Sequence, residues 1–116
     1  MKTLNIFFFV SLFFLVSGSY AQSKSKNEEI TIKTSVVCNM CKNTMEKALA
    51  YEKGVKKSNV HVEDQKVTVV FDPRKTSVEK IKKAITMSGY DADEMVANPK
   101  AYEKLNDCCK KDMGVH

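Results

Sequence analysis

Residues 34–49 read TSVVCNMCKNTMEKAL, and a change of period inside this stretch decides the fold. Ahead of the cysteines, Ile30, Ile32, Thr34 and Val36 alternate with Thr31, Lys33 and Ser35, the two-residue repeat of a strand with one buried face. From Asn39 the repeat becomes helical: Cys41, Met45, Ala48 and Leu49 recur at three and four residues, Lys42, Glu46 and Lys47 fall on other sides, and the helix ends before Gly54. Cys38 therefore sits in the loop leaving the strand and Cys41 in the first helical turn. Two thiols so placed can be a metal clamp, a redox dithiol or a structural staple.

Downstream, Val55, Val60 and Val62 mark a second strand, and Glu63-Asp64-Gln65-Lys66 is a polar turn returning the chain through a β-branched strand over 66–71. Asp72-Pro73 stops that strand. Thr76 to Glu79 predicts a capping box for a second helix whose apolar stripe is Val78, Ile81, Ala84 and Ile85, with Lys80, Lys82 and Lys83 turned outward and Gly89 as the stop. The stretch YDADEMVA, 90–97, supplies a closing strand. The expected fold is α+β: a ferredoxin-like βαββαβ sandwich, with a four-stranded antiparallel sheet carrying both helices on one face. After Asn98-Pro99, AYEKL predicts one or two helical turns leading to Cys108-Cys109 in a short C-terminal extension.

The first 21 residues stand apart. Lys2 precedes an apolar run from Ile6 to Val16 broken only by Ser11, and Ser19-Tyr20-Ala21 offers small residues for cleavage, the pattern of a signal peptide. The run is short for a bilayer span, so stable membrane insertion after its removal is not expected, and a periplasmic or secreted location is. The resulting organisation is a signal peptide over 1–21, a polar lead-in over 22–28, a domain over 29–96 and the extension over 97–116. All four cysteines lie beyond the leader, in a compartment that permits disulfides. The chain carries 19 basic and 14 acidic residues, and loss of Lys2 lowers the net charge from +5 to +4. The lysines are dispersed and not interleaved with aromatics, which argues against nucleic-acid binding.

At a helix start, unpaired amides and the positive end of the helix dipole favour thiolate over thiol. Two thiolates without an adjacent histidine or carboxylate suit Cu(I), Ag(I) or Hg(II) better than Zn(II), which seeks four ligands. Lys42 and the helix amides would soften the excess negative charge. Met40 reads as an exposed loop residue that could approach Cu(I), Met45 as core, and His61 as a surface residue out of phase with Val60 and Val62. Tyr90, just after Gly89, either covers the metal rim or belongs to the core. Cys108 and Cys109 could fold back as third and fourth ligands, with His116 a further candidate, raising the coordination number toward that of Zn(II) or Cd(II). They could instead form disulfides or remain an unrelated exposed pair, and four cysteines allow three complete pairings.

Residues 29–96 resemble a heavy-metal-associated (HMA) domain, the family of copper chaperones, the amino-terminal modules of metal-transporting ATPases and periplasmic mercuric-ion binding proteins. The likeness rests on Cys38-x-x-Cys41 after a first strand, Gly54-Val55, VTVVFDP at 67–73 and AITMSGYDA at 84–92. It implies that Cys38 and Cys41 bind the ion on a mobile, exposed loop and pass it to another thiolate domain or a metal-transporting membrane protein by ligand exchange, the carrier being a monomer or a metal-bridged dimer. Ser35 and Val36 stand where the family carries Gly-Met; Val36 can replace the packing of that methionine. Tyr90 matches the place where bacterial members carry a tyrosine close to the metal. Cu(I) ranks first as cargo on general availability, with Hg(II) next.

Two rivals remain. CxxC at a helix start also serves thioredoxin-like oxidoreductases, but no tryptophan accompanies the pair, the element order differs, and neither Pro73 nor Pro99 lies in a stretch resembling their cis-proline loop. A disulfide-stabilised structural domain predicts that metal adds nothing to the reduced protein. Hydrolytic catalysis has no arranged nucleophile and base, so a non-enzymatic role is expected.

Overall fold

The computed structural model describes residues 26–116, so the leader expected over 1–21 and most of the lead-in lie outside the described residues. Strand β1 (Glu28–Lys33) is followed by α1 (Asn39–Ala50), β2 (Val55–His61), β3 (Lys66–Phe71) and α2 (Val78–Met87). Both β1 and β2 pair antiparallel with β3, giving the order β1-β3-β2, with Ile32 opposite Val67 and Val60 opposite the same residue on the other side. Alternation explains the sidedness. Ile32, Val60, Val67, Val69 and Phe71 point to one face and are buried with Met45 and Leu49 of α1 and Ile81 and Ile85 of α2, while Thr31, Lys57, Asn59 and His61 lie on the opposite side. This is an α+β ferredoxin-like fold whose two helices share the apolar sheet face.

Two expectations at element ends need correction. The N-cap of α2 is Ser77, not Thr76: its hydroxyl accepts from the Lys80 amide at 3.2 Å. Thr76 is instead buried against Gly54, whose φ of +93° leaves no room for a side chain; an added Cβ would meet the Thr76 methyl at 2.8 Å. With the helix starting one residue later, Val78 drops out of the apolar stripe and is exposed, and Thr86 takes a buried place.

The closing strand expected over 90–97 is also absent as a regular strand. Among the described residues the sheet has three strands, and Ala92 contributes isolated bridges to Thr34 and Met95. Side chains replace the missing ladder: the Asp93 amide donates to the Lys33 carbonyl at 2.9 Å, but the Lys33 amide donates to the Asp93 carboxylate, also at 2.9 Å, and the Asp91 amide to the Ser35 hydroxyl at 2.9 Å. Short acidic side chains compete with the backbone for its own donors, and Asp93 adopts a positive φ of 52°. Lys82 pins this edge to α2 through Asp93 and Glu94, at 3.2 and 3.1 Å.

The extension is docked. Asn98 caps helix α3 (Pro99–Glu103) by accepting from the Ala101 amide, with Pro99 at the first turn, and two short 3₁₀ turns follow at Asp107–Cys109 and Lys111–Met113. Gly89 makes the docking possible: at φ +103° it ends α2, and a Cβ there would lie 3.0 Å from the Ala101 carbonyl and 3.1 Å from Leu105. Asp91 latches the rest, accepting from the Ala97 amide at 2.9 Å and pairing with Lys111 at 3.1 Å.

Candidate metal centre

Strand β1 ends, the chain runs extended through Val36 and Val37 into the core, and Cys38 becomes the N-cap of α1 with φ −157° and ψ 174°. Cys41 then falls in the first turn, and the two sulfurs meet at 3.5 Å. The expectation of an exposed rim is corrected: Cys38 is only 8% exposed and Cys41 is fully buried. The cover comes from the extension. Cys109 Sγ lies 4.0 Å from Cys38 Sγ, and the carbonyls of Cys108 and Cys109 accept from the thiols of Cys38 and Cys41, each at 3.7 Å. The ligand atoms of Cys38, Cys108 and Cys109 all lie within 4.8 Å of one another.

Each remaining candidate has a definite place. Met40 is half exposed, its thioether sulfur 4.0 Å from Cys108 Sγ and accepting from the Asn106 side-chain amide at 3.1 Å. Val36 is fully buried in the core, and its carbonyl accepts from Gln65 Nε2 at 2.9 Å. The Lys42 ammonium bonds Glu46 at 2.7 Å and the Val60 carbonyl at 3.2 Å, while Glu46 accepts from the Val60 amide. His116 reaches the site only by its backbone, whose amide donates to the Val37 carbonyl at 2.7 Å; its ring is engaged with the Gly114 carbonyl. His61 is exposed on β2 and Met45 is core.

Tyr90 is fully buried; the sulfurs of Cys41 and Cys109 are the polar neighbours of its hydroxyl, and neither meets it in full hydrogen-bond geometry. Burial, then those sulfurs, push its ionisation upward, so it stays a neutral donor. A buried hydroxyl facing sulfur without a bond is an unused donor for an anionic thiolate.

Charge at the pair follows from burial and amides. Burial works against ionisation of Cys38, but the Cys41 amide and thiol, the Met40 amide and Cys109 outweigh it and bring Cys38 down to about 7. These amides belong to the first turn of α1, where the backbone donors point at the Cys38 sulfur although none meets full cap hydrogen-bond geometry. Cys109, by contrast, is pushed up by burial and by the neighbouring Cys41 and Cys38 sulfurs. Asp91, Asn106 and Gly89 support the site without any sequence signal that joins them to it. Asp91 lies in an acidic run and Asn106 in a polar one, and neither pattern signals its partner.

Known proteins resemble the part of the chain that carries Cys38 and Cys41. The mercuric transport protein periplasmic component of Serratia marcescens is 42% identical over 55 residues, covering 47% of this chain and 60% of that protein. The copper chaperone CopZ of Staphylococcus haemolyticus is 41% identical over 54 residues, 47% of this chain and 79% of that one. The solved water-soluble region of the P-type ATPase CopA from Bacillus subtilis superposes with a TM-score of 0.56 at 32% identity, covering 59% of this chain and 46% of that chain. The family described as the heavy-metal-associated domain matches residues 31–91, which contain Cys38 and Cys41 but not Cys108 and Cys109. Just over half of the chain is matched, and with a ferredoxin-like fold that sets paired sulfurs at the start of its first helix, the chain belongs to the heavy-metal-associated domain family.

Proposed function

We propose that this protein is an exported carrier of a soft metal ion, Cu(I) in the first place, which Cys38 and Cys41 hold and pass on by thiolate exchange. The observation that carries the reading is the 3.5 Å approach of the two sulfurs at the start of α1, with one of them poised to ionise near neutral pH. Soft thiolates select Cu(I), Ag(I) and Hg(II) over hard ions, and the described residues present no carboxylate cluster at this centre. The leader-like first 21 residues and the likeness to a periplasmic transport component support a periplasmic or secreted setting. Among the described residues no helix is long and apolar enough to cross a membrane. The likeness to an ATPase soluble region supports a metal-transporting membrane protein, or another thiolate domain, as the recipient.

Carriage of Hg(II) is the second reading, favoured by the likeness to the Serratia protein. Anaerobic titration of the reduced mature protein with Cu(I), Hg(II) and Zn(II), in competition with chelators of known strength, decides between them. Copper carriage predicts tight uptake of one Cu(I) and weak binding of Zn(II). Failure to retain any thiophilic ion would overturn both readings.

A further inference from the structure

Building on that reading, we propose that the C-terminal extension is a ligand-bearing lid: Cys109 is a third metal ligand that closes over Cys38 and Cys41 and leaves only when an incoming thiolate replaces it.

Geometry is the first support. A soft ion held about 2.3 Å from each sulfur keeps two linearly opposed sulfurs about 4.6 Å apart, whereas three in a plane are about 4.0 Å apart and tetrahedral neighbours about 3.8 Å apart. The observed separations are 3.5 Å for Cys38 to Cys41 and 4.0 Å for Cys38 to Cys109. Both are shorter than the span of a linear two-sulfur site, and Cys109 stands from Cys38 at the planar three-sulfur spacing, with the Cys108 sulfur within 4.8 Å of both. Cys109, at 3% exposure, is more buried than Cys38 and belongs to the interior of the site, while Cys108 lies at the rim beside Met40.

The surroundings point the same way. The unpartnered Tyr90 hydroxyl faces both Cys41 and Cys109 and supplies a donor for sulfurs carrying charge under a metal. The lid is also held by contacts that use no sulfur: Gly89 against Ala101 and Leu105, the Asn98 amide on the Thr86 carbonyl at 3.0 Å, Lys111 on Asp91, and the His116 amide on the Val37 carbonyl. Cys109 is thereby presented to the pair at high effective concentration, and a free thiol must outcompete it.

Transfer then begins with a substitution without redox change, and the bonds to Cys38 and Cys41 are exchanged for further partner thiolates in the same way. The bond from the ion to Cys109 breaks as one to the partner's sulfur forms, and the proton lost by the incoming thiol passes to Cys109. A carrier built this way holds its ion against small thiols and yields it to a docked partner that displaces the extension.

The test uses the reduced mature chain, residues 22–116, loaded with one equivalent of Cu(I) under anaerobic conditions. X-ray absorption counts the sulfurs around copper, and release to an excess of chromophoric chelator is timed. The lid predicts three sulfurs in the unaltered protein, two in Cys109→Ser, and release at least about tenfold faster in that variant. Two sulfurs in the unaltered protein, three remaining in Cys109→Ser, or unchanged release would overturn it. If Cys109→Ser fails to fold, the sulfur count of the unaltered protein decides alone. The Cys38→Ser/Cys41→Ser variant separates the two claims: full copper retention there sinks the carrier reading itself, whereas its loss together with a two-sulfur count in the unaltered protein sinks only the lid.

Discussion

The Tyr90 hydroxyl is buried beside Cys41 with no hydrogen bond to satisfy it. In the metal-free protein that is a cost, since an unpaired buried polar group destabilises by about 1–3 kcal/mol. Under a loaded site it is an asset, because an ionised sulfur accepts strongly. Tyr90→Phe is therefore expected to leave the metal-free protein as stable or more stable in denaturant melts, while chelator competition shows metal retention weakened by about tenfold, roughly 1.4 kcal/mol. Loss of stability with unchanged retention would assign Tyr90 to packing alone.

The sulfur of Cys38 ionises at about 7, below an ordinary thiol, because neighbouring amides and thiols outweigh its burial. It is a thiol below that pH and a thiolate above it. Ultraviolet thiolate absorbance of the reduced, metal-free protein should show a first step centred near pH 7, absent in Cys38→Ser. A first step only in the ordinary thiol range would contradict this.

Asp72, which follows β3, is bonded first by the Arg74 guanidinium and also by the Arg74 amide, and its carboxyl is held at about 2. A carboxyl with a depressed folded-state pKa contributes stability that is fully present above the ordinary carboxylate range, near 4, and lost as pH falls through about 2. Denaturant melts of the unaltered protein and Asp72→Asn should thus differ at pH 6 and converge toward pH 2. A gap that persists at pH 2 would locate the contribution elsewhere.

Gly89→Ala places a methyl group against Ala101 and Leu105 on a backbone at φ +103°. The expected cost is about 1–3 kcal/mol. If the extension retains the ion, copper release should also accelerate. Equal stability and equal release would show that the α2 terminus tolerates the side chain and that the extension is not held there.

Much of this arrangement can be read locally. The β-branched run over 66–71 and the four-residue spacing of Cys41, Met45 and Leu49 match β3 and the buried side of α1, because each is a periodic signal within one element. The same holds for the meeting of Cys38 and Cys41. Where side chains compete with backbone, local reading fails: Asp91 and Asp93 turn an expected strand into bridges, and Ser77 takes the cap that Thr76 was expected to hold. Burial of the cysteine pair was illegible for another reason. Its cover comes from residues about seventy positions away, and their approach depends on the single missing side chain at Gly89.

On the proposed reading, Cys38 and Cys41 hold a soft ion. Native mass spectrometry of the reduced mature protein with one equivalent of Cu(I) and a competing chelator, beside Cys38→Ser/Cys41→Ser, addresses it most directly. Retention of one copper by the unaltered protein and none by the variant is the predicted result; equal retention by both, or none by either, would contradict the claim.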